Sequence, residues 1–222
     1  PTPPEAAMPN KKNRCVIITP FLNGPINEAY AFEEGDFLIA VDGGYAVAEA
    51  AGLRPDLVMG DFDSFPLERL SAFPQDKIIK HPAEKDDTDV MLAIKTGFSL
   101  GMTDFRIIGG IGGRLDHTVG NLQALSYCLS RGGSAWIDDG PNKATMTDAA
   151  EFLLPFREGC YFSLFSWSES CVGVRARGAK YPVGGATLTN SFPLGVSNEF
   201  SGGDVIITKE SGRLLIITAR KD

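Results

Sequence analysis

The chain has 222 residues, 43% of them hydrophobic, and a formal net charge of -7. That is enough apolar content to bury the core of one large domain or two small ones. The acidic balance argues against nucleic acid as the main partner, since phosphate backbones demand clustered Lys and Arg. No apolar run approaches the roughly 20 residues needed to span a bilayer, and the polar, Pro-rich start lacks the apolar stretch of a secretory signal. Cys15, Cys128, Cys160 and Cys171 form no CxxC pair, so buried free thiols in a cytoplasmic protein are expected, although Cys160 and Cys171 could face each other across adjacent strands.

Residues 1–14 read as a flexible tail. Residues 15–21 (CVIITPF) are β-branched and apolar enough for a central strand, and residues 36–44 (DFLIAVDGG) repeat the pattern, ending in Asp42, Gly43 and Gly44. A short helix follows over 45–51, closed by Gly52. In residues 55–64 (PDLVMGDFDS) an apolar run ends in Gly60, Asp61 and Asp63, an acidic turn able to hold a hard cation, although such residues are also ordinary turn formers. Residues 66–73 read as a helix, 77–82 as a short strand, and 90–101 as a helix with Val90, Met91, Ile94 and Phe98 on one stripe. Thr88 suits its N-cap, with acidic residues complementing the helix dipole. Residues 104–110 are the next strand. The loop GGIGGRLDH (109–117) then leads into a helix whose Leu115, Val119, Leu122, Leu125 and Leu129 keep helical spacing, and residues 133–140 close the region as a strand.

Strands alternating with helices predict an α/β N-terminal domain over 15–140, with a largely parallel sheet covered by helices on both faces. In that architecture ligands sit outside the carboxyl ends of the strands. Asp42, Asp61, Asp63, Asp86, Asp87, Asp89 and Asp116 all fall just after predicted strands, and crowded carboxylates call for divalent cations or basic partners. An all-oxygen set suits Mg2+ rather than zinc. The glycine loop is neither a Walker A motif nor a dinucleotide fingerprint. Its glycines and the following helix N-terminus still suit a phosphate, with the Arg114 guanidinium and the Asp116 carboxylate two residues apart. His81 and His117 fall in the same region and could contact phosphate. Beyond residue 140 the helical period is lost. Short β-like runs predict a smaller all-β sandwich or barrel over 141–222, with ITKESGRLLI (207–216) as a hairpin.

The segments VDGGYAVAEAAGLRPDLVMGDFDS, KDDTD, GGIGGRLDH and GVSNEFSG, in that order and spacing, resemble the thiamine pyrophosphokinase family, in its bacterial branch. The resemblance implies an α/β catalytic domain followed by a thiamine-binding β domain. It also implies a homodimer with thiamine held where the catalytic domain of one subunit meets the β domain of the other. By this resemblance Asp42, Gly43 and Gly44 line the nucleotide site together with Ser64, Thr88, Gly113, Arg114 and His117. Asp61, Asp63 and Asp89 hold Mg2+ on the triphosphate of ATP, and Arg114 and Asp116 match the GGRxD element. Ser197 and Asn198 match the family's SN pair near the vitamin, and Tyr181 stands where some members place a stacking Trp. The implied reaction is in-line attack of the thiamine hydroxyl on the β-phosphorus of ATP, with Asp61, Asp89 or Asp116 as the proton acceptor. The alternatives are diphosphate transfer to another heteroaromatic alcohol such as a hydroxymethylpterin, or nucleotide or vitamin binding without turnover.

Overall fold

The computed structural model describes residues 13–62, 67–82 and 87–221. Six strands, β1 (Arg14–Ile18), β2 (Phe37–Val41), β3 (Leu57–Gly60), β4 (Ile78–Lys80), β5 (Asp104–Ile108) and β6 (Ser134–Asp138), pair in parallel in the order β6-β5-β1-β2-β3-β4. Their near-continuous apolar runs are what a sheet buried on both faces requires. Four helices are interleaved: α1 (Ile26–Ala29), α2 (Gly44–Ala50), α3 (Asp89–Ser99) and α4 (Leu115–Ser130). On one face Phe105, Ile107 and Ile137 pack against Val90, Ala93 and Ile94 of α3 and Ala124, Leu125 and Cys128 of α4. On the other, Val16, Ile18 and Ile108 pack against Ala29 and Ala48. From β1 the chain order runs outward through β2, β3 and β4 on one side and through β5 and β6 on the other, so the sheet has its switch point between β1 and β5.

The sheet does not stop at residue 140. Strand β7 (Asn142–Thr147) pairs antiparallel with β6 and is followed by β14 (Leu214–Arg220), β9 (Cys160–Ser166) and β12 (Gly195–Glu199), giving ten strands in one sheet. A second, antiparallel sheet of β11 (Val183–Thr189), β10 (Ser170–Arg177), β13 (Val205–Thr208) and β8 (Glu151–Leu154) packs over that extension. Phe162, Leu164 and Ile216 of the long sheet meet Leu154, Val174, Val205 and Ile207 between the layers. The architecture is thus a mostly parallel sheet with helices on both faces, followed by a smaller antiparallel β unit.

Three local expectations are corrected. The described part of 66–73 does not make an α-helix: Leu67–Leu70 is a single 3-10 turn, its geometry carried on by Ser71 N–H to Glu68 O (3.1 Å) and Phe73 N–H to Leu70 O (3.0 Å). Pro74 follows too soon for another turn, and Leu70 and Phe73 instead dock on Ala40 and Val58. ITKESGRLLI is not a hairpin, because β13 lies in the second sheet and β14 in the first. Ser211 and Gly212 carry the chain between layers, with Trp167 N–H bonded to Arg213 O at 2.8 Å. Finally, the apolar stripe of α4 is rotated at its start. Leu115 and Val119 are 76% and 46% exposed, whereas Asn121, Ala124, Leu125 and Cys128 are buried. All four cysteines are free and buried, and Cys160 and Cys171 stand in different sheets.

Candidate functional site

Two clefts gather the residues singled out from the sequence. The first, about 290 Å³, opens at the carboxyl ends of β1, β2 and β5, at the switch point. Thr19, Pro20 and Phe21 follow β1, Asp42 follows β2, Gly110, Gly112, Gly113 and Arg114 follow β5, and Thr88 and Asp89 enter at the start of α3. His117 and Asn121 reach in from one face of α4, four residues apart.

The wall is built by hydrogen bonds that hold three strand ends in register. Asp42, with φ of 47°, donates its N–H to Met59 O at 2.8 Å. Its carboxylate lies so close over Gly60 that a Cβ there would overlap Asp42 Oδ1 and displace it. The glycine loop needs φ of +84°, +78°, +97° and +62° at Gly109, Gly110, Gly112 and Gly113. Gly109 N–H donates to Asp138 O (2.7 Å), Gly110 N–H to Phe21 O (2.9 Å), and Gly112 N–H to Thr118 Oγ1 (3.1 Å). Asn121 Nδ2 closes the loop by donating to Gly110 O at 2.8 Å.

Thr88 caps α3, its Oγ1 accepting from Met91 N at 3.2 Å, so Asp89 enters the first turn at the cleft. Asp87 is spent on Lys95, with Nζ to carboxylate distances of 2.6 and 2.8 Å. Arg114 and Asp116 pair with each other, Nη2 to Oδ2 at 2.5 Å and Nε to Oδ1 at 3.2 Å. That hydrogen bond holds the Asp116 carboxyl below the usual range and raises the guanidinium further. Both side chains are exposed, and Arg114 lines the cleft. Asp61 follows β3 and His81 follows β4, where His81 N–H donates to Gly60 O at 2.9 Å. Gly43 and Gly44 begin α2 behind Asp42. Neither they, Asp61 nor Asp116 belongs to the cleft's lining. Asp63, Ser64 and Asp86 lie outside the described residues. Among the described residues no group of three His, Cys, Asp or Glu is placed to hold a metal by side chains alone.

The second cleft, about 310 Å³, brings together Tyr181, Ser197 and Asn198 with the apolar Val183, Leu188, Leu194 and Val196. Ser197, at φ of 58°, sits where the β12–β9 register shifts. Asn198 is 7% exposed and clamps the neighbouring chain. Its Oδ1 accepts from Tyr181 N (3.1 Å) and Glu199 N (2.8 Å), and its Nδ2 donates to Tyr181 O (2.7 Å). The Tyr181 ring is 55% exposed with Lys180 Nζ 5.3 Å from its centroid. Lys180 and Lys221 both bind the Glu199 carboxylate, pulling its pKa down to about 2.

Sequence reasoning missed Thr19, Phe21 and Asn121 in the first cleft. Thr19 and Phe21 were within reach of the strand-end rule, and Asn121 of the four-residue spacing from His117. The apolar lining of the second cleft carries no local signal.

A family model described as thiamin pyrophosphokinase, catalytic domain, matches residues 29–137, and one described as thiamin pyrophosphokinase, vitamin B1 binding domain, matches residues 151–214. A thiamine pyrophosphokinase of Bacillus subtilis (strain 168) is 29% identical over 188 residues, spanning 83% of this chain and 88% of that one. The crystal structure of thiamine pyrophosphokinase from Bacillus subtilis superposes with a TM-score of 0.81 at 27% identity, over 94% of this chain and 99% of that one. That of thiamin pyrophosphokinase from Geobacillus thermodenitrificans gives 0.79 at 28% identity, over 94% and 98%. With both halves matched in their expected order, the chain belongs to the thiamine pyrophosphokinase family of diphosphotransferases.

Proposed function

We propose that this protein transfers the diphosphate of ATP to the hydroxyl of thiamine, with the first cleft taking the nucleotide and the second the vitamin. The observation that carries the reading is the switch-point cleft, where Asp42, Asp89, Arg114 and the glycine loop converge. On this reading the division of labour falls near residue 140, with 15–140 acting on the nucleotide and 141–222 on thiamine.

The donor set fits Mg2+. Asp61 and Asp89, with Asp63 of the same acidic turn outside the described residues, offer oxygen ligands only. Mg2+ is commonly held by one or two carboxylates plus substrate phosphates, so a full protein cage is not required. When bound, it neutralises charge on the triphosphate. The N-terminus of α4, beside the open glycine loop, faces phosphate oxygens, and Arg114 meets the charge that develops as AMP leaves. Thr88, Gly113 and His117 border the same phosphates. The hydroxyl oxygen bonds to the β-phosphorus, the bond from that phosphorus to the oxygen retained by AMP breaks, and the hydroxyl proton passes to a carboxylate. Asp61, Asp89 and Asp116 are the candidates for that role. In the second cleft Tyr181 offers a ring to the flat, cationic vitamin.

The two clefts sit far apart within one chain. Six strand-to-strand steps separate β1 from β12, roughly 29 Å at about 4.8 Å per step. Reacting atoms must approach to about 3–3.5 Å, so the reading includes a homodimer in which each site joins the first cleft of one subunit to the second cleft of the other. A cytoplasmic setting fits the four free thiols.

The test is incubation with ATP, Mg2+ and thiamine, following AMP and thiamine diphosphate, with a hydroxymethylpterin as the competing acceptor. Equimolar production of both from thiamine is the expected result. ADP as the sole nucleotide product, or turnover only with the pterin, refutes the proposal.

A further inference from the structure

Strand register places a group of charged side chains that diphosphate transfer does not use. Arg106 pairs with Trp136, Trp136 with Thr145, Asp138 with Lys143, and Lys143 with Thr218. Cross-strand partners share a face, so these residues stand together on the side of the long sheet away from α3 and α4. Toward β1 that face is covered by α1 and α2, and toward β9 by the second sheet. Between the two covers lies a cleft of about 300 Å³. Its floor is Arg106, Trp136, Lys143 and Thr218, and its wall is Leu154, Pro155 and Arg157. Arg106 sits mid-strand, whereas the nucleotide cleft begins beyond the end of β5, so the two sites are distinct.

The charges do not balance. Arg106 Nη1 is 2.6 Å from Asp104 Oδ1, and Lys143 Nζ is 3.1 Å from Asp138 Oδ2. Arg157 has only neutral acceptors among the described residues: Nη1 donates to Thr218 Oγ1 at 2.8 Å and Nη2 to Gly140 O at 2.7 Å. Counted over the lining cations and their ion-pair partners alone, one positive charge is in excess. Beside the cations lie apolar surfaces, Leu154, Pro155 and the Trp136 ring, whose face Lys143 Nζ approaches to 5.1 Å from the centroid.

We propose that this cleft binds a small organic monocarboxylate with an apolar body. The carboxylate is held by Arg157 and Lys143, and the body lies against Trp136, Leu154 and Pro155. One excess charge matches a monoanion better than a phosphate dianion, and about 300 Å³ is the lower end of small-molecule sites. Arg157 supplies the planar fork suited to a carboxylate.

Benzoate is the probe, titrated into the full chain with ATP present to fill the nucleotide cleft, and followed by calorimetry and tryptophan fluorescence. The expected result is saturable binding of one benzoate per chain with a fluorescence change that Trp136→Phe removes. Benzamide, the same shape without charge, gives no binding. Arg157→Gln and Lys143→Met each weaken binding by about tenfold or more, the effect of losing a hydrogen bond to a charged group. Circular dichroism checks that each variant is folded, and if Arg157→Gln is not, Lys143→Met carries the test. Absence of saturable benzoate binding overturns the proposal. So does benzamide binding equally well, inorganic phosphate competing as strongly as benzoate, or unchanged affinity in the folded variants.

Discussion

Asn198 offers the sharpest test of how the second cleft, proposed above for the vitamin, is built. A side-chain amide has four hydrogen-bonding positions, and Asn198 uses both acceptor sites of Oδ1 and one N–H of Nδ2 on the backbone of Tyr181 and Glu199. It is therefore first a positioning residue, fixing the segment that carries the Tyr181 ring, with one N–H left over for a ligand. Asn198→Ala removes three hydrogen bonds at a site 7% exposed. At about 1 kcal/mol each the loss is about 3 kcal/mol. For a chain of this size that corresponds to a fall in Tm of about 6–12 °C. Functionally, the loosened Tyr181 wall raises KM for thiamine by about tenfold, roughly the value of one good contact, while KM for ATP stays constant because Asn198 bonds only the Tyr181 and Glu199 segments and no residue lining the first cleft. Thermal melts by circular dichroism and steady-state kinetics at varied thiamine measure both. A Tm within about 2 °C of wild type would refute the clamp. If thiamine KM still rose, the amide would be a direct ligand and not a support.

Other consequences are equally measurable. Arg114→Ala removes an exposed guanidinium, so Tm changes little while kcat falls by about 10²–10³-fold; an unchanged kcat removes Arg114 from the mechanism. Gly60→Ala drives a methyl into Asp42 Oδ1, and overpacking of this kind costs about 1–3 kcal/mol; turnover falls further than stability explains, whereas wild-type kcat with wild-type Tm would refute the packing. Mixing Arg114→Ala with Tyr181→Ala subunits restores about a quarter of the wild-type sites if each site is shared between two subunits of a twofold dimer, and none if it lies within one chain; activity recovered after subunit exchange is the readout. Glu199, ordinarily near 4.5 and drawn to about 2 by Lys180 and Lys221, has a depressed folded pKa. Its contribution to stability is present above pH 4.5 and lost as pH falls toward 2. The Tm gap between wild type and Glu199→Gln therefore narrows across that window, and a gap independent of pH counts against the triad.

Legibility followed the range of the interactions involved. The parallel strands and the helix starts are local matters. Thr88 is a cap because its own hydroxyl meets Met91 N three residues on, and the strand-end rule found Asp42 and Asp89 from apolar runs alone. Residues 66–73 were misread because a periodic pattern eight residues long says nothing of how soon the chain must turn back onto Ala40 and Val58. In α4 the spacing of Leu115 and Val119 is helical, but the sheet the helix covers is met only from Asn121 onward. Arg114 and Asp116 were recognisable as charges and not as a pair, since a bond between them depends on the turn that begins the helix.

The β half was harder for a physical reason. Apart from the β10–β11 pair, its strand orders, β12-β9-β14-β7 and β11-β10-β13-β8, join partners that are not neighbours in sequence. A Ser-Gly turn between apolar runs looks the same whether the second run pairs with the first or leaves for another sheet. Choosing between them requires knowing that β14 is claimed on both sides by β7 and β9. The same pairing makes β14 the link between the halves: it carries the sheet's hydrogen bonding onward to β9 and β12, so the second cleft lies at the β12 edge of the same sheet whose β1, β2 and β5 ends bear the first. Continuity of the sheet sets the two clefts about six strand-to-strand steps apart, and the homodimer proposed above is the arrangement by which such a scaffold would bring them together.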